Sequence, residues 1–235
     1  MRSLASLALI ALALGATPVA AQPISEQSRD LPVAPVTLPV TSPWREAVVR
    51  LADAQFHHPS WGYRHAERNY VLAWHLTRAE ALSVDDDVLF AAALLHDWGG
   101  LAPFEVEGTP HQIRSVELAE AFLREAGFPM EKWPTVRDAI LGHVPAGQPT
   151  TPEGIVLHDA DLLDFMGAAG VARFFGAPSD EPNLDQGVSY IENFGLTLGD
   201  RLLTETARRM AEPRLAYMRD FLEQLRRELP PGTRP

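Results

Sequence analysis

Apolar residues recur at helical spacing through most of this chain, and no stretch alternates cleanly enough to be a strand. Trp44, Val48, Leu51 and Ala52 share one side of a helix predicted from Trp44 to about Phe56. A second, from Arg64 to about Leu82, carries Tyr70, Ala73, Trp74 and Thr77 together. Ser83 is read as the cap of a third, with Asp85, Asp86 and Asp87 in its first turn, where acids suit the helix dipole. The triplet lacks the spacing of a calcium loop. From Val88 to Trp98 the third helix is apolar nearly all round, the pattern of a buried element, and Gly99-Gly100 ends it.

Further helices are predicted from about Gln112 to Ala126, stopped by Gly127, and from about Pro134 to Gly142. Thr151-Pro152 starts a sixth, with cap and first-position proline together, carrying Ile155, Val156, Leu157, Ala160, Leu162 and Leu163. Another turn or two covers Ala168 to Phe175, followed by a loop from Gly176 to Asn183. The last stretches are amphipathic, with Leu198, Leu202 and Met210, then Leu215, Met218, Leu222 and Leu225, and Pro213 is expected to divide them. The fold class expected is therefore all-α, one helical domain over residues 44–229.

The first residues fit none of these helices. Met1-Arg2, the apolar run Leu4 to Leu14, and the small residues around Val19-Ala20-Ala21 read as a secretory signal peptide over 1–21. The run is short for a membrane span, and no later segment is long and apolar enough for one. The expectation is a secreted or periplasmic protein without a membrane span after processing. Residues 22–43, rich in Pro, Val, Thr and Ser, read as an extended arm, and 230–235 as a frayed tail.

Charge and composition narrow the chemistry. A formal net charge of −11 disfavours a nucleic-acid scaffold but leaves room for a small phosphorylated molecule if a cation focuses charge locally. The chain has no cysteine, so any metal must be held by nitrogen and oxygen.

Three positions then stand out. His96-Asp97 closes the most apolar helix, where both side chains are costly unless satisfied; a capped helix end with a paired His and Asp would also serve. Asp161 lies within Ile155 to Phe165, and Asp159 and Asp164 cannot share one face with it, so some acid points inward and needs a cation or several donors. His65 begins the second helix, followed by Arg68; His57, His58 and His75 read as packed or surface groups.

Their order, His … His-Asp … Asp with helices between, resembles the HD-domain superfamily of metal-dependent phosphohydrolases. Leu94-Leu95-His96-Asp97-Trp98-Gly99 is similar to the family's apolar helix ending in His-Asp and glycine, and His65-Ala66-Glu67-Arg68 to its first-histidine helix. The stretch from His111 to Ala119 and Ile140-Leu141-Gly142-His143 resemble its next two histidines. Asp159 to Arg173 resembles small bacterial members with an Asp-Ala-Asp-x-Leu-Asp segment followed by Gly-Ala-x-Gly. The likeness runs from about Trp61 to Phe175. Many members place a histidine or aspartate four residues before the first histidine, where this chain has Trp61; some place a lysine or acid soon after the glycine, where it has Gly100 and Leu101.

The resemblance implies that His65, His96, Asp97 and Asp161 ligate a divalent ion such as Mn, Fe, Co, Ni or Zn, one ion rather than two. His111 and His143 would be hydrogen-bonding neighbours or ligands of a second ion. Arg68 and Arg173 are candidate phosphate clamps or structural ion pairs; Glu67, Glu105 and Glu107 are candidate bases or plain surface. The implied activity is hydrolysis of a small phosphate ester or anhydride, with nucleotides, cyclic dinucleotides and simple esters all fitting. Two rivals stand beside it. One is a non-phosphate substrate, since Phe104-Glu105-Val106-Glu107-Gly108 is similar to the cyanamide-hydratase branch; the other is a module that binds without turnover. The sequence does not indicate an oligomeric state.

Overall fold

Eight consecutive residues of the third helix, Val88 to Leu95, are buried, and that requirement organises the molecule. A helix apolar on every side must be enclosed on every side. Each fully buried Leu or Phe there contributes about 1.5–3 kcal/mol relative to exposure. A computed structural model describes residues 37–176 and 184–230. Among the described residues there are helices and turns but no strand. The leader read over 1–21, most of the arm, most of the 176–183 loop and residues 231–235 of the tail lie outside them.

The helices are α1 (Pro43–Gln55), α2 (Tyr63–Ala79), α3 (Asp86–Leu95), α4 (His111–Ala126), α5 (Trp133–Gly142), α6 (Pro152–Asp164), α7 (Gly167–Gly176), α8 (Leu184–Asn193) and α9 (Glu205–Glu228). The buried α3 is covered by α1, α2, α5 and α6, and α6 also meets α7 and α9. Thr151 caps α6 by accepting from the Gly154 amide, and Gly127 ends α4 in the left-handed region at φ 83°. Among the described residues no helix is long and apolar enough to cross a membrane.

Three expectations need correction. Asp85, not Ser83, caps α3, accepting from the Asp87 and Val88 amides. The acids beside it are paired: Arg45 bonds Asp86 and Asp87, and Lys132 bonds Asp85 and Asp87. Second, α3 ends at Leu95, so His96 and Asp97 stand in a turn before a 3-10 turn at Trp98–Gly100. Third, Pro213 does not divide the last segment, because α9 runs unbroken past it. One lost amide bond is outweighed by a continuous apolar stripe: Met210, Ala211, Met218 and Leu222 are all buried. Leu198 and Leu202 belong instead to the 3-10 turn Gly195–Arg201 and its exit.

Candidate metal centre

Five helices bring polar ends to one place. His65 lies in the first turn of α2, His96 and Asp97 just past α3, and His111 at the first position of α4. His143 follows the last residue of α5, and Asp161 sits in the last turn of α6. Residues near helix ends can meet there because the backbone groups left unpaired are themselves polar.

Two helix ends orient an imidazole in the same way. His96 Nδ1 donates to the Ala93 carbonyl at 2.9 Å, and His143 Nδ1 donates to the Ile140 carbonyl at 2.6 Å. Each bond satisfies a last-turn carbonyl and leaves Nε2 as a lone pair facing forward. His65 reaches the same state differently, its Nδ1 donating to Asp164 Oδ2 at 2.7 Å. The lone pairs then confront one another: His65 Nε2 and His96 Nε2 are 3.3 Å apart. Carboxylates complete the set. Asp161 Oδ1 is 3.0 Å from His65 Nε2 and 3.9 Å from His96 Nε2; Asp97 Oδ2 is 3.4 and 3.2 Å from the same atoms.

Acceptors facing acceptors, all buried or nearly so, need a positive charge among them. A proton is one candidate. Burial and Arg173 push the His65 imidazole down, but its bonds to Asp161, Asp164 and Asp97 hold it up at about 10. Asp97 resists burial because the His96 charge and bonds from His143, His65 and His96 hold it well below the usual carboxylate range. Asp161 is lowered by His65 in the same way, against its own burial. A cluster that grips a proton this tightly also suits a divalent cation, which would displace it. Two imidazoles and two carboxylates fit first-row metals.

His111 and His143 approach the other oxygen of Asp97, and His143 also lies close to His96 and Asp161. Each Nε2 is 3.4 Å from Asp97 Oδ1, and the two Nε2 atoms are 3.1 Å apart. Asp97 therefore directs one oxygen to each pair of imidazoles. Burial is the largest single influence on each ring: it lowers His111, while at His143 the bond and charge of Asp97 outweigh it and raise the ring.

The two arginines are joined to Asp164. Arg68 forks onto it, Nε to Oδ1 at 2.7 Å and Nη2 to Oδ2 at 2.8 Å, and Arg173 Nη1 reaches Oδ2 at 2.9 Å. Neither lines the cavity in front of the cluster. Glu67 pairs with Arg64 on the surface, and Glu105 and Glu107 are exposed away from the cavity. Asp159, Asp161 and Asp164 all turn inward, and Asp161 and Asp164, expected not to share a face, both reach His65, while Asp159 accepts from the Leu203 and Thr204 amides at the start of α9.

Asp164 and Asn69 are the participants that sequence reasoning left without a role. Asn69 Nδ2 lies 3.1 Å from His65 Nε2 and 3.2 Å from Asp161 Oδ1. Its signal was available, because a residue four positions after His65 shares its helix face. Asp164 carried a weaker one, three positions after Asp161.

Gly99 explains how Asp97 reaches His111. Its amide donates to Ser115 Oγ at 2.8 Å, and a β-carbon there would lie 2.4 Å from the His111 carbonyl oxygen and 2.5 Å from the Ser115 nitrogen. Gly99→Ala is expected to push the turn off α4, costing about 1–3 kcal/mol. A thermal melt checks this, and an unchanged midpoint would refute the close-docking argument.

The cavity before the cluster has a volume of about 310 Å³. It is lined by Asp97, His111, His143 and Asp161, together with Trp61, Gly100, Val144, Pro145, Phe165 and Phe194.

Comparison with known proteins agrees with this geometry. A family model described as the HD domain matches residues 62–166. An uncharacterised Bacillus subtilis protein, YpgQ, is 39% identical over 90 residues, 36% of this chain and 44% of that protein. The chain thus spans less than half the length of the curated relatives it matches. Over whole structures the likeness is longer. The crystal structure of YpgQ in complex with ADP superposes with a TM-score of 0.61 at 25% identity, covering 80% of this chain and 98% of that one. A predicted HD-superfamily hydrolase from an uncultured Thermotogales bacterium gives 0.54 at 30% identity, covering 78% and 90%.

Proposed function

Given that this chain belongs to the HD-domain superfamily, whose solved relatives include HD-superfamily hydrolases, we propose that it is an exported, metal-dependent hydrolase of a small phosphate ester or anhydride. The observation that carries this reading is the meeting of His65 and His96 with Asp97 and Asp161: the two Nε2 atoms are 3.3 Å apart, and each carboxylate brings one oxygen within 3.0–3.9 Å of both. The ADP bound to YpgQ supports a phosphorylated substrate. The apolar stretch at Leu4 to Leu14 supports export.

His65, His96, Asp97 and Asp161 would hold a divalent cation, which would supply Lewis acidity to water and to phosphoryl oxygens. The protein's own groups do the rest. Asp164, clamped by Arg68 and Arg173, fixes the His65 ring so that Nε2 faces the cluster. Asn69 steadies Asp161. His111 is the most exposed imidazole of the group, and burial lowers its proton affinity. Its Nε2 is the atom able to take a proton from water or give one to a leaving oxygen. Trp61, Phe165 and Phe194 give the cavity apolar wall.

A second reading concerns stoichiometry. Asp97 Oδ1 faces His111 and His143 as Oδ2 faces His65 and His96, which favours a second cation sharing Asp97. Fewer carboxylates on that side make it the weaker site.

The test is elemental analysis of purified protein together with phosphate release under Mn, Co, Ni or Zn. Removing metal with a chelator is expected to abolish turnover and to lower the melting temperature, since a ligand bound only by the folded state stabilises it. Turnover that survives complete chelation would end this reading, and release of urea from cyanamide without phosphatase activity would replace it.

A further inference from the structure

Every polar side chain lining the cavity beyond Trp61 belongs to the metal cluster, and the remaining side chains are Trp61, Val144, Pro145, Phe165 and Phe194. Among the described residues no lysine or arginine lines it. The candidate clamps are tied to Asp164, and the Arg173 guanidinium lies 3.7 Å from the Phe165 ring centroid. Residues 177–183, between α7 and α8, contain neither Lys nor Arg.

The aromatic walls are built in place. Trp61 stacks on His58 with ring centroids 3.5 Å apart and planes at 18°, and its indole N–H donates to the Gly100 carbonyl at 3.4 Å. His58 is fixed in turn, its Nδ1 accepting from the Ser60 and Trp61 amides, and burial holds its imidazole down at about 4. Also in the lining, Phe165 meets Phe194 edge-on at 5.5 Å and 87°. Such walls hold a flat apolar group without first being ordered.

Charge points the same way. With a single divalent ion bound, Asp97 and Asp161 would balance its charge, so the site would offer little surplus positive charge. A phosphate monoester carries about −1.5 to −2 at neutral pH. Each further phosphate adds charge that finds no guanidinium fork here and meets a chain of net charge −11. At about 310 Å³ the cavity is also at the small end for ligand sites.

We propose that the substrate is a phosphate monoester of low charge bearing a flat apolar or aromatic group seated against Trp61, Phe165 and Phe194, and that polyphosphates are poor substrates. This rests on the phosphate-hydrolysis reading above. Water attacks phosphorus, the ester P–O bond breaks, and the leaving oxygen takes a proton to give an alcohol and inorganic phosphate.

The test compares kcat/KM of the Mn-loaded full chain on two pairs. 2-Phenylethyl phosphate against ethyl phosphate changes the ring while keeping a primary alkoxide leaving group. AMP against ATP changes the charge while keeping the base, with products followed by chromatography so that phosphate and pyrophosphate release both count. The phenylethyl ester is expected to be favoured about tenfold, the scale of one well-formed aromatic contact. AMP is expected to exceed ATP by at least about tenfold, although the anhydride is the more reactive bond. Trp61→Ala should collapse the phenylethyl-to-ethyl ratio towards unity; Phe194→Leu, a milder change, should lower it partway if the first variant fails to fold. Ethyl phosphate cleaved as well as the phenylethyl ester, or ATP as well as AMP, overturns this inference alone. No release from any of the four by metal-loaded protein overturns the hydrolase reading and this one with it.

Discussion

Replacing Asp97 by alanine is expected to remove bound metal and hydrolysis together while leaving the helices intact. Asp97 is the residue that all four histidine rings share: His65 and His96 approach Oδ2, and His111 and His143 approach Oδ1. Its loss takes away one of the two carboxylates that balance a cation, and it leaves imidazole lone pairs facing one another. Removing a mere hydrogen-bonding neighbour of a metal site costs 10–100-fold, so loss of this carboxylate is expected to cost at least about 100-fold in turnover. The fold should tolerate the change, because Asp97 stands in a turn outside α3 and its side chain is partly exposed. Elemental analysis, phosphate release and circular dichroism measure the three parts. A folded Asp97→Ala protein with full metal content and full turnover would end the mechanism.

Asp164→Ala should be the most damaging substitution for stability. Asp164 is 2% exposed and accepts from His65, Arg68 and Arg173 at once. Arg173 is itself buried, with Nε and Nη2 lacking partners, so removing Asp164 leaves an uncompensated buried charge. Breaking a buried pair in this way costs about 3–5 kcal/mol. For a domain of this size that lowers the melting midpoint by roughly 10 °C. Metal affinity should fall too, by about 10–100-fold, because His65 loses the bond that aims it. Asp164→Asn keeps an acceptor and should lose less. Burial pushes the Asp164 carboxyl up, but bonds from His65 and Arg68 outweigh it and hold the group well below its ordinary 3.8. The stabilisation is therefore complete above that ordinary value and disappears as pH falls through the lower folded value. Acid unfolding curves of the two proteins should converge at low pH. A midpoint unchanged in Asp164→Ala at neutral pH would show that the buried ion group is not what holds α2, α6 and α7 together.

The rejected and retained expectations divide along one line. Helix positions were legible because a helix is a local structure, and its apolar period appears in a dozen consecutive residues. The burial of α3 could be read from Val88 to Leu95 alone. The oddness of His96, Asp97 and Asp161 was legible for the same reason: polar groups stood in or directly after apolar helices and needed a partner. Pro213 suggested a break, because a proline's local cost is visible in sequence while the packing that outweighs it is not.

What the chain order could not reveal was who meets whom. His65 and Asp164 are 99 positions apart, and Arg68 and Asp164 are 96 apart. Whether an arginine faces a substrate or a buried carboxylate depends on how α2, α6 and α7 cross, and no local pattern encodes that. The same holds for Asp97, whose two oxygens serve two imidazole pairs only because Gly99 lets its turn approach α4. The sequence by itself determined which segments are helical and which polar residues required company. The tertiary structure decided the partners, since charges and rings at opposite ends of the chain acquire meaning only when packing brings them within a few ångströms.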